Sequence, residues 1–140
     1  MRFWDSSAIV PLLVHQPSTA TIEDVYRTDA EMLVWWGTPV ECISALTRLE
    51  REGALSNRDV SMAQARLRGL AEAWHEVQPH EQVRSRAERL LRVHPLRAAD
   101  ALQLAAALEV AGETPTDLVC LDRRLGDAAS RENLTVIDEI

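Results

Sequence analysis

Four acidic residues spread along the chain, Asp5, Glu41, Asp100 and Asp122, are of the type that holds a divalent cation. Carboxylates are hard oxygen ligands and suit Mg2+ or Mn2+ better than Zn2+. No His or Cys falls among them, in keeping with that choice. A cation so held can lower the pKa of a water, orient the hydroxide at phosphorus and offset charge developing on phosphate oxygens. Gathered without a cation, that many like charges could not all stay ionised.

Each acid also has a plainer role open to it. Asp5 ends the apolar run of residues 2–4 and precedes Ser6-Ser7, where it could N-cap a helix. Ser6 could cap as well, or orient a cation-bound water. Glu41 follows Thr38 at the spacing of a capping box. Asp100 lies early in residues 96–108, a segment apolar almost all round, where a charge is costly unless paired or ligating. The helix dipole or a pairing with Arg97 would also account for it. Asp122 closes Leu118-Val119-Cys120-Leu121 and precedes Arg123-Arg124, again an N-cap position. Asp117 falls at the other end of that run and Asp127 on a solvated helical face, so both are left outside the set.

The elements that must position these side chains follow from periodicity and from Gly and Pro. Residues 2–4, 32–36, 75–78, 118–121 and 134–137 read as short strands. Helices are expected over 6–14, 19–27, 38–52, 57–74, 80–93, 96–111 and 123–132. Strands separated by helices of this length imply crossover connections and a parallel sheet covered on both faces. Ligands bind such sheets beyond the carboxyl ends of the strands, the edge where Asp5 and Asp122 fall.

The chain has 140 residues, 46% of them hydrophobic, enough for one domain over 1–140 with a real core. No run approaches the roughly 18 apolar residues of a membrane span. Asp5 interrupts the start of what would be a signal peptide, so a cytoplasmic location away from membranes is expected. The net charge of −7 argues against attachment to nucleic acid by charge alone and leaves phosphate to be neutralised by a metal. All 15 basic residues are Arg. Cys42 and Cys120 lie far apart in apolar stretches and read as buried thiols.

Supporting candidates are fewer. Arg48 lies seven residues after Glu41, two helical turns along the same face. It could touch a substrate phosphate, restrain a carboxylate, or be an ordinary surface Arg. Arg84, Arg86, Arg89 and Arg92 read as a solvated face before a nucleic-acid track. Trp35-Trp36 could stack on bases, but strand-borne Trp better fits a core or a dimer interface. His15, His75, His80 and His94 show no ligand spacing and receive no role.

Four segments carry a resemblance: FWDSSAIV, TPVECISALTRLEREGALS, LRAADALQLAAAL and LVCLDRRLGDAASRENLTVI. Together they resemble PIN domains, most of all the VapC-type toxins of bacterial type II toxin–antitoxin pairs, over essentially the whole chain. By position Asp5, Glu41 and Asp100 match the family's main acidic residues, and Asp122 the more variable fourth. Ser6 matches a small hydroxyl residue that follows the first Asp. Cys120 departs from the Thr or Ser common two residues before the fourth acid. The resemblance implies a three-layer α/β/α sandwich around five parallel strands, Mg2+ or Mn2+, and cleavage of single-stranded RNA. It also implies a homodimer and a small antitoxin that inserts a peptide into the groove.

Other classes fit less well. A receiver or haloacid-dehalogenase-like domain also places Asp after its first strand. The second of these needs another Asp where Ser7 stands, and both use a Lys that this chain lacks. A catalytically inactive PIN fold that binds RNA or a protein partner, and a DNA target for the same chemistry, stay open.

Overall fold

Successive side chains of a strand face opposite ways, and in the central strands of this chain both ways are apolar. The structure, a computed structural model, describes residues 1–138; residues 139–140 of the expected domain lie outside the described residues. Five strands, β1 (Arg2–Trp4), β2 (Met32–Trp35), β3 (His75–Val77), β4 (Leu118–Val119) and β5 (Val136–Ile137), form one parallel sheet ordered β3-β2-β1-β4-β5. Among the described residues seven helices join them: α1 (Ser6–Leu13), α2 (Thr19–Thr28), α3 (Thr38–Arg51), α4 (Asn57–Ala73), α5 (Glu81–Val93), α6 (Ala98–Ala111) and α7 (Arg123–Arg131).

Strand alternation sorts the core into two halves. Phe3, Leu33, Trp35 and Leu118 pack with α5, α6 and α7, while Trp4, Met32, Val34 and Val119 pack with α1 to α4 on the opposite face. This is the expected three-layer α/β/α sandwich with five parallel strands. Several ends fall short of expectation. β2, β4 and β5 are shorter by a residue or two, and α6 starts at Ala98 rather than 96, after Pro95. The ladder fades rather than stops, since the Cys120 amide still donates to the Ile137 carbonyl at 3.0 Å. The α3 helix ends where Gly53 turns left-handed at φ 82°.

The chain winds outward from β1 through β2 to β3, then returns to lay β4 on the other side of β1. The direction of winding therefore reverses between β1 and β4, where a crevice opens at the carboxyl edge. Helix α6 feeds β4. Its Ala101, Leu104, Ala105, Ala106, Ala107 and Leu108 are all buried, the small alanines allowing close approach.

His94, which has no role in the sequence reading, is structural. It is buried, its Nε2 lies 2.6 Å from Glu132, and Arg89 meets the same carboxylate at 2.8 Å, tying the end of α5 to the end of α7. Arg84 pairs with Glu81 and Arg86 with Glu109, so the Arg-rich face of α5 is largely matched by acids.

If α6 is the centre of its half of the core, Leu104→Ala should destabilise the chain by about 2–5 kcal/mol in urea unfolding. Val40→Ala, at a 73% exposed position, should stay within about 0.5 kcal/mol. A Leu104→Ala loss as small as the Val40→Ala change would contradict that placement.

Candidate active site

The starts of four helices bring the acidic residues together. Helices α1, α3 and α7 each follow a strand and α6 leads into one, so all four begin at the carboxyl edge of the sheet. Asp5 N-caps α1 and Asp122 N-caps α7, while Glu41 and Asp100 occupy the first turns of α3 and α6. The partial positive charge of a helix start favours a carboxylate in each place. A cavity of about 350 Å³ at this edge is lined by Asp5, Ser6, Glu41, Arg48, Asp100 and Asp122, together with Ser7 and Arg97. Asp117 and the four histidines stand outside it. Asp127 lines a neighbouring crevice shared with Asp122 and Asp138.

Asp5 is the most enclosed of the acids, 4% exposed. Its Oδ2 accepts from the Ser7 amide at 3.1 Å and lies 3.8 Å from the Cys120 thiol. Burial raises its pKa; the Ser7 hydrogen bonds oppose this, and the charges of Asp122 and Asp100 add to the rise. Glu41 is half-buried. Its Oε1 accepts from Ser6 Oγ at 3.3 Å and its Oε2 from Gln103 Nε2 at 3.1 Å. Burial and then the charge of Asp5 push it up to about 7, against the pull of the Gln103 and Ser6 hydrogen bonds.

These contacts overturn the capping-box reading of Thr38 and Glu41. The cap position is Gly37, with no side-chain cap bond, and Thr38 is already the first helical residue. Its buried hydroxyl accepts from Gln103 Nε2 at 2.9 Å, so both side chains are engaged by α6 instead of by each other. The alternative pairing of Asp100 with Arg97 is corrected as well. Asp100 Oδ2 accepts from the Arg97 main-chain amide at 3.2 Å, and among the described residues no ion pair joins their side chains. Asp122 Oδ1 takes the Leu125 amide at 3.1 Å, the plain N-cap.

As they stand, no three His, Cys, Asp or Glu side chains among the described residues gather closely enough to share a cation. The chemistry of the donor set still fits one. Each of the four carboxylates spends only one or two of about four lone-pair positions on hydrogen bonds, and the others stay open to a hard cation. A cation would also relieve the burial and repulsion acting on Asp5 and Glu41. Asp100 and Asp122 each engage a backbone amide through one oxygen and, among the described residues, leave the other free.

Two residues escaped the sequence reading. Ser7 Oγ accepts from the amides of Leu121 at 2.9 Å and Asp122 at 3.2 Å and faces Cys120 Sγ at 3.8 Å, pinning the end of β1 to the end of β4. Gln103 reaches Glu41 and Thr38 from within α6. A polar side chain one turn after Asp100, in an otherwise apolar segment, was the available signal. Cys42 and Cys120 are free and buried; burial raises both thiols, Cys42 to about 12. Trp35 is core and Trp36 is 53% exposed, their rings meeting edge to face.

The family profile of the PIN domain matches residues 2–130, and the chain belongs to that family. Solved structures repeat the fold at low sequence identity. FitAcB from Neisseria gonorrhoeae superposes with a TM-score of 0.69 at 17% identity, covering 98% of this chain and 96% of that one. VapBC2 from Rickettsia felis, bound to a DNA fragment from their promoter, gives 0.68 at 10% identity over 99% and 98%. A toxin-antitoxin complex from Klebsiella pneumoniae gives 0.62 at 12% identity over 90% of each chain. No curated protein sequence matches the chain.

The folded-state pKa of Glu41, about 7, lies above its ordinary 4.5, so the folded chain binds that proton more tightly than the unfolded chain. Its contribution to stability is therefore present at low pH and is lost as pH rises through this window. Without metal, Glu41→Gln should raise Tm over the unaltered chain at about pH 8 and change it little near pH 4. An unchanged or lower Tm at the higher pH would remove the buried-charge argument.

Proposed function

We propose that the chain is a metal-dependent endoribonuclease of the VapC type, the toxin of a type II toxin–antitoxin pair. The observation that carries this is the cavity at the winding reversal, which Asp5, Glu41, Asp100 and Asp122 line together. On this reading these four residues hold Mg2+ or Mn2+ and are the catalytic set. Bound there, the cation would supply an acidified water and offset the charge of the phosphate under attack. Asp5 and Glu41 form the enclosed half of the ligand set, held by Ser7, Ser6 and Gln103. Asp122, exposed on the rim, is free to serve the metal or to orient the water.

Ser6 and Arg48 are the substrate contacts of this reading. Arg48 is exposed on the cavity wall and offers a guanidinium to a phosphate of RNA. With a net charge of −7, attraction to RNA is local to the site rather than a property of the surface. Structures of similar fold are described as a toxin-antitoxin complex and as VapBC2 bound to a promoter fragment, which supports a small antitoxin as partner. A homodimer, a single PIN domain over 1–140 and a cytoplasmic setting complete the proposal. Among the described residues no helix is long and apolar enough to cross a membrane.

A second reading, an inactive PIN module that binds RNA or a protein, draws on one observation: Asp5, Asp100 and Asp122 each already serve a backbone amide. Cleavage assays on single-stranded RNA and DNA, side by side with Mn2+ or chelator, separate the readings. RNA alone should be cut, only with metal, and Asp5→Asn should reduce cutting to background. Arg48→Ala should raise KM about tenfold and move kcat less. Cleavage that persists in Asp5→Asn, or under chelation, would sink the proposal; co-expression of the neighbouring antitoxin should silence the activity.

A further inference from the structure

We infer that Gln103 is a positioning residue of this cavity: its side-chain amide fixes the carboxylate of Glu41 and the separation of α3 from α6 across the site. The inference rests on the proposed function for its meaning, and on geometry for its substance. Gln103 is 1% exposed and lies in α6 between apolar neighbours. It does not line the cavity, so whatever it does there passes through Glu41.

A buried primary amide is costly unless its hydrogen bonds are made. Gln103 makes only part of its set. The two hydrogens of its Nε2 meet two acceptors one turn apart on α3, Thr38 Oγ1 at 2.9 Å and Glu41 Oε2 at 3.1 Å. Its Oε1 is buried with no partner. An apolar residue of similar volume would avoid that orphaned oxygen altogether, so the amide is worth its place only for its two donors. Their direction is fixed as well. Turning the amide over would set its oxygen against the Glu41 carboxylate.

Glu41 is thus held at both oxygens from different helices, Oε1 by Ser6 of α1 and Oε2 by Gln103 of α6. The two holds stop the otherwise loose final torsion of a glutamate. They leave lone pairs on both oxygens for a cation. Asp100 stands one turn before Gln103 on the same face of α6, so one helix brings an acid to the cavity and also secures the acid facing it from α3.

The test compares Mn2+ binding by calorimetry in the full chain, in Gln103→Met, in Glu41→Gln and in the double variant. Met keeps the volume while removing both donors and the orphaned oxygen. Gln103→Met is expected to melt at or above the unaltered chain, yet to bind Mn2+ about tenfold more weakly or worse. In the Glu41→Gln background the same change should cause no further weakening, because the effect runs through Glu41. Unaltered affinity in Gln103→Met, or an equal loss once Glu41 is already replaced, would overturn the inference. Gln103→Leu makes the same removal if the Met variant does not fold.

A metal-free crystal structure of Gln103→Met adds a readout that needs no cation. A Glu41 carboxylate displaced from Ser6 upholds the inference, and one that superposes on the original position overturns it. If the unaltered chain binds no Mn2+ at all, the proposed function fails, and the position of Glu41 then decides the present inference alone.

Discussion

Like charges line one cavity at the carboxyl edge of the sheet, and much of the surrounding structure can be understood as what makes that tolerable. Burial and mutual repulsion both act against Asp5 and Glu41 as anions. Against them stand four helix starts, whose partial positive charge falls where the acids do, and a hydrogen bond to at least one oxygen of each carboxylate. The balance leaves a site that tends to take up protons in the absence of metal. On the proposed function a divalent cation would be the counterweight, meeting the repulsion directly instead of masking it one amide at a time.

The winding of the chain explains why acids so remote in sequence meet. Helices that link parallel strands begin at the carboxyl edge, so a residue in a first turn is delivered there wherever it occurs in the chain. The reversal between β1 and β4 opens the crevice, and Ser7 prevents its two lips from parting by taking amides from the far one. In this chain a thiol, that of Cys120, fills the position beside Asp5. Burial raises its pKa, and its one hydrogen has the Asp122 carbonyl at 3.3 Å as a nearer acceptor than the Asp5 carboxylate.

Most of the architecture could be read from the sequence because its signals are local. Apolar runs closed by Asp5 and Asp122, and helices stopped at Gly53 and Gly112, mark their own boundaries to within a residue or two. Ser6 and Arg48 were also within reach, as residues fixed by spacing from Asp5 and Glu41. What could not be read depends on packing between distant segments. Thr38 and Glu41 have capping-box spacing, but their partner is Gln103, which reaches them at the sheet edge from a helix on the opposite face. His94 gains its function only from Glu132 on another helix, and Ser7 only from amides that β4 carries to it. Local patterns name what a residue could do; the partner that arrives first in space decides what it does.

The sheet has a further consequence at its margins. Among the described residues its outer strands are β3, three residues long, and β5, two residues long, each too brief to offer a useful row of free amides and carbonyls to an incoming strand. Extension of the ladder by another polypeptide is therefore disfavoured, whether as assembly or as aggregation. Helical surfaces are left as the better ground for contact with a second macromolecule, and substitutions there leave the pairing of strands undisturbed.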